Sequence, residues 1–227
     1  MQTDGTSLPG RMRSLVVVSA GLSQPSSTRL LADRLASATE RHLRDRSVLV
    51  ERTTVELREH GQELMNNLLT GFPTEALQAA IDAVVAADGL VAVTPIFNAS
   101  YSGLFKLFFD VIERDGLGWL PVLIGATGGT ARHSLALEHA VRPMFAYLDA
   151  AVMPTAVYAA AEDWGSGDMP ADASLSDRIE RAAAELAHAM VVVERPAVVD
   201  PFEAVVPFEE LLGGRAASSS EREGADE

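Results

Sequence analysis

The chain has 227 residues, of which 48% are hydrophobic and 22% charged, an ordinary balance for a globular protein with a sizeable core. Its formal net charge of −14 argues against a general nucleic-acid binder and against a surface that recruits anionic lipid, because both need cationic faces. The absence of cysteine excludes disulfides, thiolate nucleophiles and cysteine-bound metal clusters, and it fits a reducing cytoplasm.

The first half of the chain alternates between strand and helix patterns. The β-branched run from Leu15 to Val18 is typical of a strand buried on both faces, and it is too short for a signal-peptide core or a membrane span. Thr74 is the expected N-cap of an alanine-rich helix. In order, the predicted elements are a loose leader over 1–13, a strand over 15–18, a turn over 19–28, a helix over 30–43, a strand over 48–55, an irregular or partly helical stretch over 58–73 and a helix over 74–87.

The second half repeats this alternation three times. Pro154 is expected to interrupt one strand, and Ser176 is the expected N-cap of the last helix. The predicted elements are a strand over 89–94, a turn over 95–102, a helix over 104–112, a strand over 121–126, a turn over 127–130, a helix to about 149, a strand over 151–158 and a helix over 176–190. Five alternations predict an α/β fold whose parallel sheet carries helices on both faces.

The C-terminal region departs from this pattern after residue 194. Arg195-Pro196 and Asp200-Pro201 break helices, and a short apolar patch follows them. We therefore divide the chain into the leader, one domain over 14–194, a C-terminal packing segment over 195–213 and a disordered tail over 214–227. The apolar patch of the packing segment comprises Phe202, Val205, Val206, Phe208, Leu211 and Leu212.

Three loops that follow strands are the candidate ligand-binding segments, because ligands of doubly wound sheets bind at the carboxyl ends of the strands. The first loop, residues 19–28, brings a cluster of hydroxyls to the start of a helix, where a phosphate is favoured without a lysine. The alternative is an ordinary helix N-cap, in which the remaining hydroxyls bind no ligand. The hydroxyl residues of the cluster are Ser23, Ser26, Ser27 and Thr28.

The type of phosphate ligand follows by elimination. The chain contains no G-x-G-x-x-G after its first strand, no G-x-x-x-x-G-K-[ST] and no G-x-S-x-G nucleophile elbow. No cluster of acidic residues follows the first strand, which argues against a magnesium-dependent receiver domain. A monophosphate such as that of FMN remains suited to the first loop.

The second loop, residues 94–103, and the third loop, residues 126–133, suit a flat heteroaromatic ring. Pro95 stiffens the second loop, and Asn98 offers both a donor and an acceptor to a ring edge. In the third loop, Gly128 and Gly129 permit close approach of the backbone because they lack a Cβ. Ordinary loops with one buried aromatic or a flexible Gly-Gly pair would explain the same residues.

These residues resemble the NADPH-dependent FMN reductase family from about Ser14 to Met190. The chain departs from the common Gly-Ser-x-Arg opening of that family in its first loop, and Phe97 stands where a tyrosine is common. The stretch 127–133 and the tail around 200–202 resemble a branch associated with luciferase-like flavin monooxygenases. The motifs that carry the family resemblance are Pro25-Ser26-Ser27-Thr28, Thr94-Pro95-x-x-Asn98-x-Ser100-x-Ser102-Gly103 and Leu104-x-Lys106-x-x-x-Asp110.

The resemblance implies a flavodoxin-like sheet of five parallel strands in the order 2-1-3-4-5, and an oxidoreductase that uses FMN with NADPH or NADH. It assigns no catalytic side chain and no metal, since the flavin carries the chemistry. It further implies an FMN phosphate on Ser19, Ser26, Ser27 and Thr28, and an isoalloxazine lined by Pro95, Ile96, Phe97 and Asn98 and flanked at its other edge by Thr127, Gly128 and Gly129.

Association is also implied by the resemblance. The helix that contains Lys106 and Asp110 contributes to a dimer in the family, and Leu107, Phe108 and Val111 could supply its apolar surface. A partner monooxygenase of the luciferase-like class could receive reduced flavin. His133 is interpreted as a surface or cap residue, and a contact with flavin or nicotinamide is the alternative.

Two other functions stay open at this level. The first is an enzyme that keeps FMN as a prosthetic group and reduces quinones, azo dyes or chromate. The second is an electron carrier of flavodoxin type without nicotinamide turnover. Steady oxidation of NAD(P)H would separate the enzymes from the carrier, and release of FMN on gel filtration would separate the two enzymes.

Overall fold

The computed structural model describes residues 12–164 and 175–195. The predicted packing segment and tail lie outside the described residues from residue 196 onward, and so does the leader apart from two residues: the first strand begins at Met12. Within the described part the strands are β1 (Met12–Ser19), β2 (Leu49–Glu56), β3 (Gly89–Phe97), β4 (Ser100–Tyr101), β5 (Pro121–Gly128), β6 (Ala151–Val152) and β7 (Val157–Ala160).

The strand order confirms the flavodoxin-like prediction. The path runs β2-β1-β3-β5-β6, and β7 also pairs with β5. Every one of these pairs is parallel. The strands β6 and β7 are the two halves of the predicted fifth strand, separated around Pro154 as expected. Counted without the two-residue β4, the order is therefore 2-1-3-4-5.

The helices cover both faces of the sheet. Along β1, Leu15 and Val17 pack with the first and last helices of the chain, whereas Val16 and Val18 pack with helices on the other face. This double burial explains why β1 is a continuous apolar run rather than an alternating one. The helices are α1 (Ser27–Arg44), α2 (Gly61–Thr70), α3 (Glu75–Val85), α4 (Gly103–Asp110), α5 (Arg142–Tyr147) and α6 (Leu175–Val192).

Of the two predicted helix N-caps, one is confirmed and one is wrong. Thr74 caps α3 as expected, with its hydroxyl accepting from the Leu77 amide at 3.2 Å. The Ser176 prediction is wrong, because α6 already begins at Leu175.

Phe108, which was expected to supply part of an apolar dimer surface, is fully buried in the core and cannot do so. No helix of the described residues is long and apolar enough to cross a membrane.

Two predicted segments have a different structure. Instead of a turn over 95–102, β3 continues to Phe97 and forms an antiparallel hairpin with β4. Asn98 and Ala99 make this tight turn with φ values of 49° and 69°, a conformation that asparagine tolerates well. The predicted helix to about 149 is present but irregular: a 3-10 turn over Ala131–His133 precedes it, and a π-helical turn over Leu137–Val141 leads directly into α5, where Pro143 lacks an N–H.

Arginine side chains close the amino end of the sheet. Arg195 donates to the carbonyls of Val85, Ala87, Gly116 and Gly118 at 2.7 to 3.2 Å. Asp88 accepts from Arg13 at 2.5 Å and from the Ser14 amide at 2.8 Å.

Candidate functional site

A cleft of about 560 Å³ lies at the carboxyl ends of the central strands. Its volume falls in the range typical of small-molecule sites, roughly 300–1,000 Å³. All three predicted loops contribute to its lining. The predicted residues that line it are Ser23, Ser27, Thr28, Pro95, Ile96, Phe97, Thr127, Gly128 and Gly129.

Three predicted site residues do not line this cleft. Ser19 is buried at the end of β1, Ser26 caps α1, and Asn98 lies exposed at the tip of the β3–β4 hairpin. The Ser26 hydroxyl accepts from the Arg29 amide at 3.2 Å, so the N-cap interpretation holds for this residue. His133 is also exposed and away from the cleft lining.

The first loop closes tightly around the start of α1. A Cβ at Gly21 would lie 2.0 Å from the Ser26 hydroxyl oxygen, so only glycine fits beside this cap. Ser27 is the first residue of α1, and the first turn of this helix contains no acidic residue. The positive end of the helix dipole is therefore not offset locally, and it faces the cleft beside the Ser27 hydroxyl.

The arginines near the first loop are already paired. Arg29 contacts Asp33 at 2.9 Å and also Glu56. Arg58 contacts the same Glu56 carboxylate at 2.8 Å. An anion in the first loop would thus be held by hydroxyls and main-chain N–H groups rather than by a lysine or arginine of the cleft wall.

The first and third loops are joined by a hydroxyl pair. The hydroxyls of Thr28 and Thr127 lie 2.8 Å apart, and the two residues are only 3% and 4% exposed. A buried hydroxyl without a partner is costly, so each of these groups satisfies the other. The pair fixes the end of β5 against the start of α1 across the floor of the cleft.

The second loop contributes an apolar wall. Phe97, at the end of β3, is 47% exposed with its side chain at the cleft. Pro95 lies within β3, opposite Thr127 of β5, rather than in a turn. Together with Ile96, these residues provide the apolar cover that a flat ring requires.

The third loop is held from the far side by a tyrosine. Its residue Thr130 accepts a hydrogen bond at 2.8 Å through its carbonyl oxygen from the Tyr158 hydroxyl, and Tyr158 lies on β7. Burial raises the pKa of the Tyr158 phenol, and the nearby Asp163 and Glu162 raise it further. The phenol therefore remains a hydrogen-bond donor throughout the neutral range.

Two cleft residues come from a fourth loop that the sequence analysis missed. Ala161 and Trp164 follow β7, and the Trp164 ring packs against the guanidinium of Arg34 at 5.1 Å. Asp163 fixes this loop by accepting from the Ala160 amide at 2.8 Å. The signal was available, because every loop after a strand of a parallel sheet opens at the same edge.

The chemistry of the lining limits what the cleft can do. The described residues that line it include no acidic, basic or histidine side chain. No cluster of metal-ligating side chains occurs among residues 12–164 and 175–195. The cleft is thus equipped to bind a ligand with an anionic end and a flat apolar end, and it offers no general acid or base from its described walls.

A second groove, of about 590 Å³, lies beside α4 and α5 and is lined in part by Tyr101, Lys106 and Tyr147. It includes none of the loops at the carboxyl ends of β1, β5 and β7. Lys106 and Asp110 form the helix-surface ion pair expected from their spacing. The cleft is the candidate ligand site, because all three predicted loops contribute to its lining.

The residues of the cleft fit FMN. The lining combines hydroxyls at the start of α1 with the apolar side chains of Phe97, Ile96 and Trp164. The glycines at 128 and 129 allow a ring edge to approach the backbone. A monophosphate joined to a flat ring has this distribution of charge and apolar surface.

Comparisons with known proteins point to the same ligand. Residues 13–165 match the sequence model of the NADPH-dependent FMN reductase family. The chain is 36% identical over 170 residues to an NADH-dependent FMN reductase, SfnE, of Pseudomonas putida, which covers 75% of this chain and 88% of that protein. It is 34% identical over 172 residues to an FMN reductase (NADPH) of Pseudomonas aeruginosa, and this match covers 74% of this chain and 90% of that protein.

A solved structure shows the same likeness in three dimensions. An oxidoreductase from Corynebacterium diphtheriae superposes with a TM-score of 0.77 and 45% sequence identity. The superposition covers 82% of this chain and 100% of that one.

Proposed function

Because the chain belongs to the NADPH-dependent FMN reductase family, we propose that its carboxyl-end cleft binds FMN and that NAD(P)H reduces the flavin there. The chain is accordingly an oxidoreductase with FMN and NAD(P)H as its cofactors. One observation carries the proposed location: hydroxyls at a helix start and apolar walls share a single cleft whose described lining contains no charged side chain.

We propose one orientation of FMN in this cleft. The phosphate lies at the first loop near Ser27 and Thr28, and the isoalloxazine lies between the second and third loops. Hydroxyls at the phosphate end and apolar side chains at the ring end support this orientation. Ser19, Ser26 and Asn98 stay predicted contacts, since they adjoin the cleft in the chain without lining it.

Bound FMN supplies the hydride chemistry, as flavins do. The chain's own contribution is to bind the phosphate, to cover the ring and to orient it. The described lining includes Ile96, Phe97, Gly129 and Trp164, and we propose that these walls leave one opening above the bound flavin. NAD(P)H and the electron acceptor must then use that opening in turn, which gives ping-pong kinetics.

Initial-rate measurements test whether the protein is a reductase and in which order its substrates bind. The purified protein is expected to oxidise NADPH, NADH or both, and only when FMN is present. With FMN kept saturating, rates measured across concentrations of NAD(P)H and of a separate acceptor that takes electrons from the bound flavin should give parallel double-reciprocal lines. Intersecting lines would contradict the shared opening, and absence of any turnover with bound FMN would favour the electron carrier.

Gel filtration separates reductase from prosthetic-flavin enzyme. For a reductase that releases its flavin, FMN is expected to leave the protein on dilution. Flavin that stays with the protein would favour the alternative enzyme, a reductase of quinones, azo dyes or chromate.

We also propose the partners of this activity. The likeness of residues 127–133 to the branch associated with luciferase-like monooxygenases supports delivery of reduced flavin to such an enzyme in the cytoplasm. A homodimer, or a dimer of dimers, remains a proposal that rests on α4 and its C-cap, where Leu107 and Val111 are partly exposed. Light scattering coupled to size exclusion would show the assembly, and a monomeric mass would contradict it.

A further inference from the structure

The third loop is held by a residue that the proposed FMN contacts do not include. Tyr158 on β7 is 6% exposed, and its hydroxyl donates to the Thr130 carbonyl at 2.8 Å. Tyr158 is itself anchored, because Arg178 donates to its main-chain carbonyl and to Asp163. The tether therefore connects β7 to Thr130 within the third loop.

The two glycines of the third loop differ in what surrounds them. A Cβ at Gly128 would lie 2.0 Å from the Tyr158 hydroxyl oxygen and 3.1 Å from the ring carbon that bears it. A Cβ at Gly129 would meet no described atom within 4 Å. Glycine is thus required at 128 mainly by the Tyr158 hydroxyl, with a second close contact from the ring carbon that bears it, whereas the backbone and its neighbours leave space at 129.

The Tyr158 hydroxyl cannot move aside without loss. Shifting it away from position 128 would break its hydrogen bond with Thr130, since the buried ring is confined within the core. The same loop is fixed at its start by the buried Thr28–Thr127 pair. Both ends of the Thr127–Thr130 segment are consequently held by side-chain hydroxyls from other elements.

We propose that Tyr158 is a positioning residue, which holds the Thr127–Thr130 backbone in the form that binds the isoalloxazine edge and imposes glycine at position 128. The inference rests on the proposed function, because FMN is the ligand whose binding the loop position controls. Tyr158 does not touch the flavin in this account and acts only through the loop.

A double-mutant cycle tests this role. The four proteins are the wild type, Tyr158→Phe, Gly128→Ala and the double variant, with Tyr147→Phe as a matched control on an exposed tyrosine. Flavin fluorescence titration gives the Kd for FMN, and thermal unfolding without flavin gives Tm. Near-ultraviolet circular dichroism verifies that each variant folds.

The expected pattern is non-additive. Loss of one hydrogen bond in Tyr158→Phe should raise the Kd about fivefold, with Tm within about 4 °C of the wild type. Gly128→Ala should raise the Kd about 50-fold, as a steric clash in a packed region does. The double variant should recover part of the affinity lost in Gly128→Ala, because the clashing hydroxyl is gone while the ring carbon that bore it stays 3.1 Å from the new Cβ. Tyr147→Phe should match the wild type.

Two results would overturn the inference alone. The first is wild-type FMN affinity in Tyr158→Phe with a lowered Tm, which is the signature of a merely structural tyrosine. The second is equal FMN affinity in Gly128→Ala and the double variant, which would show that the hydroxyl does not impose the glycine. A wild type that binds no FMN would overturn the proposed function as well, so the two failures are distinguishable.

Discussion

The two ends of the sheet use their polar groups in opposite ways. At the amino end, Arg195 and Asp88 are saturated by contacts with main-chain groups and with Arg13. At the carboxyl end, the described cleft walls present hydroxyls, glycines and aromatic rings without a charged side chain. The amino end therefore contributes to stability, while the carboxyl end keeps binding capacity for a ligand. Substitutions at the two ends should separate these quantities.

The largest expected effect is on FMN binding, in Ser27→Asp. A carboxylate there lies beside the proposed phosphate, and two negative charges about 4 Å apart repel by about 4 kcal/mol at an effective dielectric constant near 20. We expect the Kd for FMN to rise at least about 100-fold in a fluorescence titration. Tm should stay or rise, since an acidic residue suits the first turn of a helix.

Riboflavin is the matched control for this variant because it lacks the phosphate. Its affinity should be the same for Ser27→Asp and the wild type. An equal loss for both flavins would mean that the substitution distorts the cleft rather than repelling a phosphate.

The reciprocal change at the amino end is Asp88→Ala. It leaves Arg13 without its carboxylate and the Ser14 amide without its acceptor, so the free energy of unfolding should fall by about 2 kcal/mol. Denaturant unfolding measures this loss, and the Kd for FMN should stay within about twofold. Asp88→Asn keeps an acceptor for Ser14 and should lose less. A large loss of FMN affinity would break the separation between the two ends.

Thr28→Val is expected to have a smaller effect, which falls on both the free energy of unfolding and the Kd for FMN. The change leaves the buried Thr127 hydroxyl without its partner, which should cost about 1 kcal/mol of stability and raise the Kd for FMN severalfold. Thr39→Val is the control, because Thr39 is equally buried but bonds only within α1. Its FMN affinity should be unchanged. If both variants bind FMN alike, the hydroxyl pair does not position the loops.

The smallest expected effect is a loss of stability at alkaline pH, when the Tyr158 phenol ionises. Because burial raises the pKa of Tyr158, the folded state holds this proton more tightly than the unfolded chain. Its contribution to stability is present at neutral pH and is lost as the pH rises above about 10. Absorbance near 295 nm should show a late phenolate component that Tyr158→Phe removes. An unchanged titration in that variant would contradict the raised pKa.

The same two ends show what the sequence could predict. Features that depend on near neighbours were accessible: the buried run of β1, the hydroxyl cluster at the start of α1 and the cap at Thr74. The five-strand order was also correct. The sequence placed three loops at one edge, and the cleft contains residues from all of them.

Features that depend on pairing across the fold were not accessible. Thr28 and Thr127 are 99 positions apart, and Arg195 reaches carbonyls about 80 to 110 positions away. Nothing in the local sequence indicates such contacts, because they arise only when the strands are ordered. The Asn98 hairpin was missed for another reason: Pro95 was interpreted as a turn residue, although it lies in β3.

In the proposed function, the hydroxyl-rich first loop binds the phosphate of FMN. The most direct measurement compares the Kd of FMN with that of riboflavin for the unmodified protein, by fluorescence titration at one fixed ionic strength. Hydrogen bonds to a charged group contribute about 1.5–3 kcal/mol each, so FMN should bind at least about 30-fold more tightly than riboflavin. Equal affinities for the two flavins would contradict the account.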